Sequence, residues 1–463
     1  MRIRKKTYDV LVAGGGAAGV GAALSAAKNG LKTLLVEAGS MIGGDLVSGL
    51  PWNGTINARG EPIIGGVAKK LWSQVAEEGG FAERVCDWRL MHTMCLDPVH
   101  MQTVIIQNLQ KSGLDVALYS IVKSAVGSGR RIDGVMVENR HSKVLAEADW
   151  HIDCTGDGTL AIMAGADYEK GGPQKEFQPV SIVFRLAGVE WMAYLEFVRD
   201  NSQHFILGEG PVCKGMTKAQ CALELYKQGI PFAGLDGNGP LLLSAINKGE
   251  LAPCGAIYVC PNSPARKEVS INTTRVADID GSDPENLSKA LPLLNEQMRL
   301  CVGFLKKRIP GFENASLSGI ASRIGIRETA RIIGDYVLTE EDVIEGRKSA
   351  EGIAKGGHHV DVHGSGTYQK RVPVKDGNSY DIPYGCIVPR ALDNAFMAGR
   401  CMSATREAHG SARNMGQCLA TGEAAAVAAA LCKESKLSNV RDVSIPALRE
   451  RLKAQGAILD GTH

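Results

Sequence analysis

A glycine motif close to the N-terminus constrains the fold of this chain more than any other feature. Gly14 and Gly16 follow a short apolar run at residues 8–13, and Gly19 lies at the start of an alanine-rich segment at residues 17–29. This order of strand, glycine turn and helix is the fingerprint of a βαβ unit that binds a dinucleotide. The first glycine permits the sharp turn, the second lets a diphosphate approach the backbone, and the third lets helix and strand pack closely.

An acidic residue follows the motif at the expected distance. Glu37 ends a second apolar run at residues 33–37, and its carboxylate can accept hydrogen bonds from both hydroxyls of an adenosine ribose. A 2′-phosphate would be repelled there, which disfavours NADP. The N-terminus of the first helix offers free N–H groups and a partial positive charge to the phosphates. The motif therefore predicts a bound dinucleotide, and on these residues alone NAD and FAD both remain open.

Charge and cysteine usage exclude several classes of function. The 463 residues include 52 Lys and Arg against 50 Asp and Glu, a balance that gives no electrostatic footprint for nucleic acid or an anionic membrane surface. No stretch reaches the roughly 20 apolar residues that a membrane helix needs. The 12 cysteines show no CxxC spacing, which argues against an iron–sulfur site and is typical of reduced thiols. We therefore expect a cytoplasmic protein with no nucleic-acid or membrane partner.

The rest of the chain predicts a discontinuous first domain. Short strand-like runs between residues 115 and 152 indicate a small antiparallel meander. After about residue 171 the pattern changes to strand-like runs that alternate with helical segments. A buried-strand pattern returns at residues 396–399 and is followed by a long helix from Asn414 to about Lys433. The predicted domains are residues 1–170 and 371–435 for the nucleotide-binding fold, 171–370 for an inserted substrate domain, and 436–463 for a helical tail.

Three long segments resemble a known family. They are residues 153–168 (DCTGDGTLA, then AGADY), residues 322–342 (SRIGIRETARIIGDYVLTEED) and residues 394–420. In these segments the chain resembles the FAD-dependent oxidoreductases, which include fumarate reductase-like and glutathione-reductase-type flavoproteins. It departs from the pattern at Cys154, where alanine is usual, and at Asp45, where a neutral residue is usual. The resemblance implies an α/β fold: a Rossmann-like FAD-binding domain, built on a parallel sheet with a β-meander, plus an inserted α+β substrate domain.

The resemblance and the glycine motif together favour FAD as the cofactor. The helix that begins near Asn414 is rich in small residues, and its N-terminus can face the flavin pyrimidine, where negative charge accumulates on reduction. The residues expected to contact FAD are Gly14, Gly16, Ala17, Ala18, Gly19, Glu37, Ala38, Gly43, Gly44, Asp45, Ser48, Val122, Thr155, Gly156, Asp157, Gly399, Arg400, Ser411, Asn414 and Met415.

Arg327 and His409 are two candidate catalytic residues. Arg327 stands beside Glu328 in the second resembling segment. It could orient an anionic substrate, or the two residues could form a structural salt bridge, and both interpretations remain open. His409 directly precedes the flavin helix and is expected to contact the isoalloxazine ring or the substrate.

His363 is the third candidate, as a proton-transfer group. It ends the run HHVDVH at residues 358–363. Strand alternation would place His359, Asp361 and His363 on one side and His358 on the other. Such side chains can bind a metal, but polar residues that line a cleft between domains are the favoured interpretation. We predict no metal.

The sequence therefore predicts an enzyme that transfers a hydride between a small organic substrate and flavin N5. Two alternatives stay open: an NAD-dependent dehydrogenase on the same fold, and a non-catalytic subunit that carries flavin for electron transfer. The expected partners are a small-molecule substrate and a separate electron donor or acceptor of unknown identity. Hydrolase motifs such as GxSxG and HExxH are absent. The substrate and the oligomeric state are left open.

Overall fold

The computed structural model describes residues 4–461. The strands in these residues are β1 (Arg4–Ala13), β2 (Thr33–Val36), β3 (Ala82–Cys86), β4 (His92–Leu96), β5 (Asp115–Ala117), β6 (Ile121–Ser128), β7 (Arg131–Glu138), β8 (Lys143–Asp153), β9 (Tyr168–Lys170), β10 (Phe184–Ala187), β11 (Ala233–Asp236), β12 (Ala256–Ser263), β13 (Glu268–Asn272), β14 (Ser316–Ile320), β15 (Ala330–Ile332), β16 (Gly352–Gly356), β17 (Val360–His363), β18 (Gln369–Val372), β19 (Tyr380–Pro383) and β20 (Ala395–Met397). The α-helices are α1 (Ala17–Lys28), α2 (Gly66–Glu77), α3 (Pro98–Ser112), α4 (Thr159–Met163), α5 (Trp191–Asp200), α6 (Lys218–Gln228), α7 (Pro240–Asn247), α8 (Pro284–Arg308), α9 (Glu340–Ile344), α10 (Arg406–Ala412), α11 (Met415–Glu434) and α12 (Ile445–Ala454).

The glycine motif joins two parallel strands at the centre of the first sheet. The strand order is β5-β2-β1-β8-β7-β6, and β20 also pairs with β8. Strand β1 is parallel to β2 and β8, and β20 is parallel to β8. The apolar runs of β1 and β2 are buried, as expected for strands covered on both faces. The carboxyl ends of five parallel strands (β1, β2, β5, β8 and β20) therefore meet at one edge of the sheet.

The predicted antiparallel β-meander is present and is continuous with the parallel sheet. Strand β7 pairs antiparallel with β6 and with β8, while β8 also pairs in parallel with β1. The runs KVLAEA and WHI were predicted to be separate strands, but they form one strand of 11 residues. Asp149 between them occupies an exposed position of an alternating pattern, so its charge does not interrupt the strand.

The second sheet is antiparallel and has its own core. Its order is β11-β12-β13-β10-β14, and helices α5 to α8 fall within the same stretch of the chain. Large buried side chains, among them Phe184, Tyr194, Phe205 and Phe312, form a hydrophobic cluster separate from that of the first sheet. The fold is thus an α/β dinucleotide-binding unit with an inserted α+β unit.

The C-terminal part of the chain completes the first unit. Helix α11 packs closely on α1, because a Cβ at Gly422 would overlap the carbonyl of Ala18 and a Cβ at Gly21 would overlap that of Leu419. The chain returns to this unit earlier than the predicted boundary at residue 370. Leu338 already belongs to the hydrophobic cluster of β1. The core is formed by tertiary packing and does not follow the change in the pattern of predicted strands and helices. The other domain limits stay predictions.

Helix α11 is long and apolar enough to cross a membrane by length and composition, so the expectation that no such stretch exists was wrong. However, 89% of its most apolar window is buried inside the protein. The helix contacts α1, α2, α12 and β16. We therefore describe α11 as a core helix.

Candidate active site and cofactor groove

A groove with a volume of about 480 Å³ lies at the carboxyl ends of the parallel strands. This edge is where open α/β sheets bind their ligands. We call it the cofactor groove. Of the residues predicted to contact the cofactor, those that line it are Gly14, Gly16, Ala17, Ala18, Glu37, Ala38, Gly44, Asp45, Val122, Thr155, Gly156, Asp157, Gly399, Arg400 and Met415.

The three motif glycines occupy three different environments. Gly14 has a φ of +97°, and a Cβ there would collide with the backbone of Cys154. Gly16 is the N-cap of α1 without a side-chain cap, and a Cβ there would meet nothing within 4 Å. A Cβ at Gly19 would overlap the carbonyl oxygen of Gly14. The open space at Gly16 and the uncapped N–H groups behind it fit a diphosphate, so the residues present fit the predicted FAD.

Glu37 is held across the glycine turn. Its Oε2 accepts a hydrogen bond from the backbone N–H of Gly15 (2.7 Å), and its Oε1 accepts one from Gly39 (2.6 Å). These two bonds fix the carboxylate at the wall of the groove, and each oxygen keeps a second lone pair. The arrangement is compatible with the predicted contact to a ribose.

Five of the predicted cofactor residues lie outside the groove: Gly19, Gly43, Ser48, Ser411 and Asn414. Gly19 and Gly43 shape the backbone beside it, and Gly43 has a φ of +124°. Ser48 and Asn414 line a neighbouring cavity instead. Ser411 is fully buried, and its hydroxyl is 2.7 Å from Tyr380 Oη. For Ser411 the prediction was wrong, because the side chain points into the core.

Arg400 and Asp157 join the ends of two strands at the groove. Asp157 Oδ1 accepts hydrogen bonds from Arg400 Nη2 and from the Thr329 hydroxyl, both at 2.8 Å. Arg400 Nη1 also reaches the Thr329 oxygen, at 2.9 Å. The positive charge of Arg400 is therefore balanced within the wall.

A second cavity of about 190 Å³ adjoins the groove. We call it the arginine cavity. Its wall carries five arginines (Arg89, Arg275, Arg323, Arg327 and Arg413) and two aspartates (Asp45 and Asp361). The residues common to both cavities are Asp45, Arg323, Ile326, Arg413 and Met415. The excess of positive charge favours an anionic ligand beside the cofactor groove.

Arg327 faces this cavity without a carboxylate partner among residues 4–461. Its Nη1 donates to the carbonyl of Pro179 (2.6 Å) and to the Ser181 hydroxyl (3.1 Å). Burial lowers the pKa of Arg327 to about 9, so the group is still charged at neutral pH. The alternative of an Arg327–Glu328 salt bridge was wrong, because Glu328 is buried and pairs with Arg406 at 3.1 Å.

His363 uses both ring nitrogens within the protein. Its Nδ1 lies 3.0 Å from Arg275 Nη2, and its Nε2 lies 2.9 Å from Asp361 Oδ2. Because arginine only donates, Nδ1 accepts and Nε2–H donates to the carboxylate. Burial lowers the pKa of His363 to about 4. No lone pair is left for a substrate proton, so the geometry makes His363 a residue that positions Arg275.

His358 and His359 both line the arginine cavity. The predicted alternation was wrong for them, since β17 begins only at Val360. Their rings stack with centroids 4.0 Å apart. His358 Nδ1 donates to the carbonyl of His359 at 2.8 Å, which leaves a lone pair on Nε2. Burial lowers the pKa of His358 to about 4 and that of His359 well below its usual value, so both rings are neutral at pH 7.

His409 was predicted to contact the flavin or the substrate, and the structure contradicts this. The side chain is completely buried in α10 and lines neither cavity. Its Nε2 lies 2.7 Å from the carbonyl oxygen of Arg400. The residue therefore supports the turn that carries Arg400.

Two arginines lie at the junction of the cavities, and neither is among the residues predicted to contact the cofactor or to act in catalysis. Arg323 is exposed, and its Nη1 lies 3.0 Å from where a Cβ of Gly44 would be. Arg413 precedes α11, and its Nε is buried without a hydrogen-bond partner in the described part of the chain. Both lie in segments that carry the resemblance, which was the available signal. Within residues 4–461, no group of three His, Cys, Asp or Glu side chains is placed to hold a metal ion.

Comparisons with known proteins agree with this geometry. A family model described as FAD dependent oxidoreductase matches residues 9–452. The NADH:fumarate oxidoreductase of Klebsiella pneumoniae (strain 342) is 24% identical over 177 residues, which cover 30% of this chain and 19% of that protein. The match thus spans about a fifth of the curated relative's length.

Solved structures align along nearly the whole chain. A geranylgeranyl bacteriochlorophyll reductase-like protein from Thermoplasma acidophilum is 14% identical with a TM-score of 0.49, over 98% of this chain and 85% of that chain. A flavoprotein/dehydrogenase from Cytophaga hutchinsonii is 12% identical with a TM-score of 0.46, over 97% and 86%. Both TM-scores are below 0.5, so these similarities carry no functional comparison.

Proposed function

The chain belongs to the FAD dependent oxidoreductase family, and on that premise we propose that it oxidises or reduces a small organic acid by hydride transfer. FAD, when bound, supplies the N5 atom that accepts or donates the hydride. The observation that carries the proposal is the shared wall of the two cavities. A molecule in the arginine cavity would lie directly beside the cofactor groove.

Arg327 and Arg413 are the groups that would bind the acid at the junction. Arg327 has donors that its two oxygen partners do not use. Arg413 Nη2 lies 3.7 Å from Asp361 Oδ2, and its Nε has no hydrogen-bond partner among residues 4–461. An incoming carboxylate would pair with both guanidinium groups and hold the reacting carbon in place.

The accompanying proton needs a group that can accept it, and His358 provides one. Removal of a hydride from a substrate carbon leaves one proton to be released, from the heteroatom of a hydroxy or amino acid or from the adjacent carbon when an enoate forms. The free lone pair on His358 Nε2 can take that proton, because Nδ1 already donates to the backbone. Reduction reverses the same steps. A bound anion would stabilise the protonated ring and raise its pKa.

Membership of an FAD-dependent family argues against an NAD-dependent dehydrogenase. The unpaired polar groups in the arginine cavity favour an enzyme with a small substrate over a non-catalytic subunit that only carries flavin. We further propose a cytoplasmic enzyme, because all 12 cysteines are buried and free, as in reducing compartments. A separate electron donor or acceptor would complete the cycle, in a reaction that involves neither nucleic acid nor membrane.

An anaerobic screen of hydroxy acids, amino acids and enoates tests the proposal by following bleaching or recovery of the flavin absorption. Enoates such as fumarate come first, because the curated relative's name includes that acid. The same screen includes alcohols and amines without an acid group. The proposal is wrong if only uncharged compounds change the flavin spectrum.

Replacement of Arg327 should damage turnover and leave the cofactor in place. We expect Arg327→Met to lower kcat/KM for the active acid on the order of 10- to 100-fold, the loss typical of a charged hydrogen bond. The flavin spectrum should not change. Arg299→Met is the matched control, because Arg299 is exposed and pairs with Glu296 on α8. Unchanged turnover with lowered stability would show that Arg327 is structural.

A further inference from the structure

The arginine cavity has an end that is separate from the cofactor groove. Arg89, Met91, Phe232, Tyr258 and Cys260 line the cavity, and none of them lines the groove. We call this end the distal pocket. The guanidinium carbon of Arg89 lies 5.6 Å from the centroid of the Tyr258 ring, so the charge and the aromatic ring are packed together.

Two polar groups in the distal pocket are buried without partners. Arg89 is 2% exposed, and its Nη2 has no hydrogen-bond partner within residues 4–461. The Tyr258 hydroxyl is also buried and unpaired there. Nearly all buried polar groups in proteins are hydrogen-bonded, because an unpaired one costs free energy. Two unpaired donors on residues that line one cavity are groups that the oxygens of an oxyanion can satisfy.

The protein holds Arg89 in place before any ligand binds. The Asp87 carboxylate accepts a hydrogen bond from the Arg89 backbone N–H at 2.9 Å. Arg89 Nε donates to Glu209 Oε2 at 2.9 Å, and Arg371 shares that same oxygen at 3.6 Å. Glu209 thus pairs with the Nε of Arg89 and leaves its Nη2 without a partner within residues 4–461. A donor fixed in advance loses little freedom on binding.

The two neutral histidines line the same cavity as Arg89 and Arg413. Arg89 and Arg413 both contribute to the lowered pKa of His358, although burial is the larger cause. His358 is therefore close enough to sense charge from each end. A ligand that spans the cavity would meet a cation at both ends and uncharged imidazoles in the same wall.

We propose that the substrate carries an oxyanion group at each end. Arg327 would receive one group beside the cofactor groove, and Arg89 with Tyr258 would receive the other in the distal pocket. This inference rests on the proposed function, because it assigns the second end of the same small acid. A carboxylate and a phosphate would both satisfy the pocket, and the experiment distinguishes them.

Matched pairs of acids test the second group without a need for turnover. The FAD-loaded enzyme is titrated with succinate and with butyrate, and binding is measured by the change in flavin absorption and by calorimetry. We expect succinate to bind at least tenfold more tightly. The affinities of malonate, glutarate and adipate show which distance between the two acid groups fits the cavity. Comparison of 3-phosphonopropionate with succinate shows whether the distal pocket binds a phosphonate more tightly than a carboxylate.

Arg89→Met should remove the advantage of succinate and leave butyrate binding unchanged. Tyr258→Phe deletes a single hydroxyl and should remove part of the advantage, which keeps the test valid if Arg89→Met fails to fold. Arg371→Met is the matched control, because Arg371 shares Glu209 but does not line the cavity. It should keep the advantage.

Equal binding of succinate and butyrate to the parent enzyme would overturn the distal subsite and leave the proposed function standing. An advantage that persists in both Arg89→Met and Tyr258→Phe would overturn it as well. If none of the acids binds, the proposal of an acidic substrate fails, and the distal subsite fails with it.

Discussion

At the scale of single residues, Glu423 shows how burial sets chemistry in this protein. The side chain belongs to the core helix α11, where it is 3% exposed. Its Oε2 accepts a hydrogen bond from the backbone N–H of Val67 at 3.0 Å, while its Oε1 has no partner in the described residues. Burial raises the pKa of Glu423 to about 7, although Lys28 and the hydrogen bond act in the opposite direction.

The raised pKa predicts that Glu423→Gln stabilises the protein at alkaline pH. In the parent, the folded state holds the proton more tightly than the unfolded state, whose pKa is near 4.5. The stability from this group is therefore complete below pH 4.5 and is lost as the pH rises through 7. Glutamine avoids that loss. We expect a gain of up to about 3 kcal/mol at pH 8 and almost none at pH 5, measured by denaturant unfolding.

Glu434→Gln is the control for this prediction. Glu434 ends the same helix but is half-exposed and pairs with Arg451 at 2.7 Å. Its replacement should change stability by less than about 1 kcal/mol at either pH. A parallel pH dependence of the parent and Glu423→Gln between pH 5 and pH 8 would contradict the raised pKa.

The sequence predicted single site residues only where a motif carried them. Arg327 was found because it lies in a segment that resembles the family. His363 was given the proton-transfer role that the geometry offers to His358, because the partners of a ring nitrogen come from distant parts of the chain. Arg89 had no sequence signal at all, since its importance follows from its burial and its unpaired Nη2.

At the scale of elements, two glycines at the start of α1 have different roles: one leaves room for the cofactor and the other allows the helix to pack on the strand. Gly16 faces open space, and its backbone is in an extended conformation with a φ of −74° and a ψ of −164°. A valine can adopt that conformation, so its side chain would fill the groove and not the core. Gly19 instead lies against the carbonyl of Gly14, where an added methyl would push helix and strand apart.

Gly16→Val should therefore fold and lose the cofactor, whereas Gly19→Ala should lose stability as well. We expect at least tenfold weaker FAD binding for Gly16→Val. Without FAD, the unfolding midpoint of the variant should be close to that of the parent apoprotein. Gly19→Ala should destabilise the apoprotein by about 1–3 kcal/mol. Bound FAD after purification and thermal circular dichroism measure the two effects. Full FAD occupancy in Gly16→Val would contradict the assignment of the groove.

Most elements near the cofactor were predicted from local signals. Strand β1 and helix α1 follow from the apolar run and the alanine-rich segment on either side of the glycine turn. Strand β8 was divided in error, because a charged residue on the exposed side of a strand looks like a turn when the pairing is unknown.

At the scale of the whole molecule, Arg323 links the inserted unit to the cofactor groove. The residue follows β14 of the second sheet, yet its guanidinium group faces Gly44 in the first unit. It is exposed and lines both cavities. An arginine at that place can neutralise a diphosphate that lies on the glycine turn, so cofactor binding would hold the two units together.

Arg323→Ala should weaken FAD binding by about tenfold, the effect of a partly exposed charged contact. The increase in melting temperature that FAD gives should shrink, since that increase scales with affinity. Added salt should weaken FAD binding more in the parent than in the variant. Arg299→Ala on the surface of α8 serves as the control, and equal salt dependence in parent and Arg323→Ala would contradict the contact.

The discontinuous arrangement of the chain was predicted from sequence, but its boundary at residue 370 was not located correctly. The glycine motif and the late buried strand indicated that the two ends of the chain build one unit. The position of Leu338 in the same core depends on tertiary packing, which has no local signal in composition.

Strand β20 and helix α11 come from the last 70 residues of the chain, and they complete a unit that begins at β1. While the protein is being synthesised, the nascent chain exposes β8 and the small-residue face of α1 until those final segments leave the ribosome. A truncated product that ends before β20 would therefore expose an unpaired strand edge and an apolar helix face to chaperones and proteases. The folding of the first unit thus depends on segments that follow the inserted unit in the sequence.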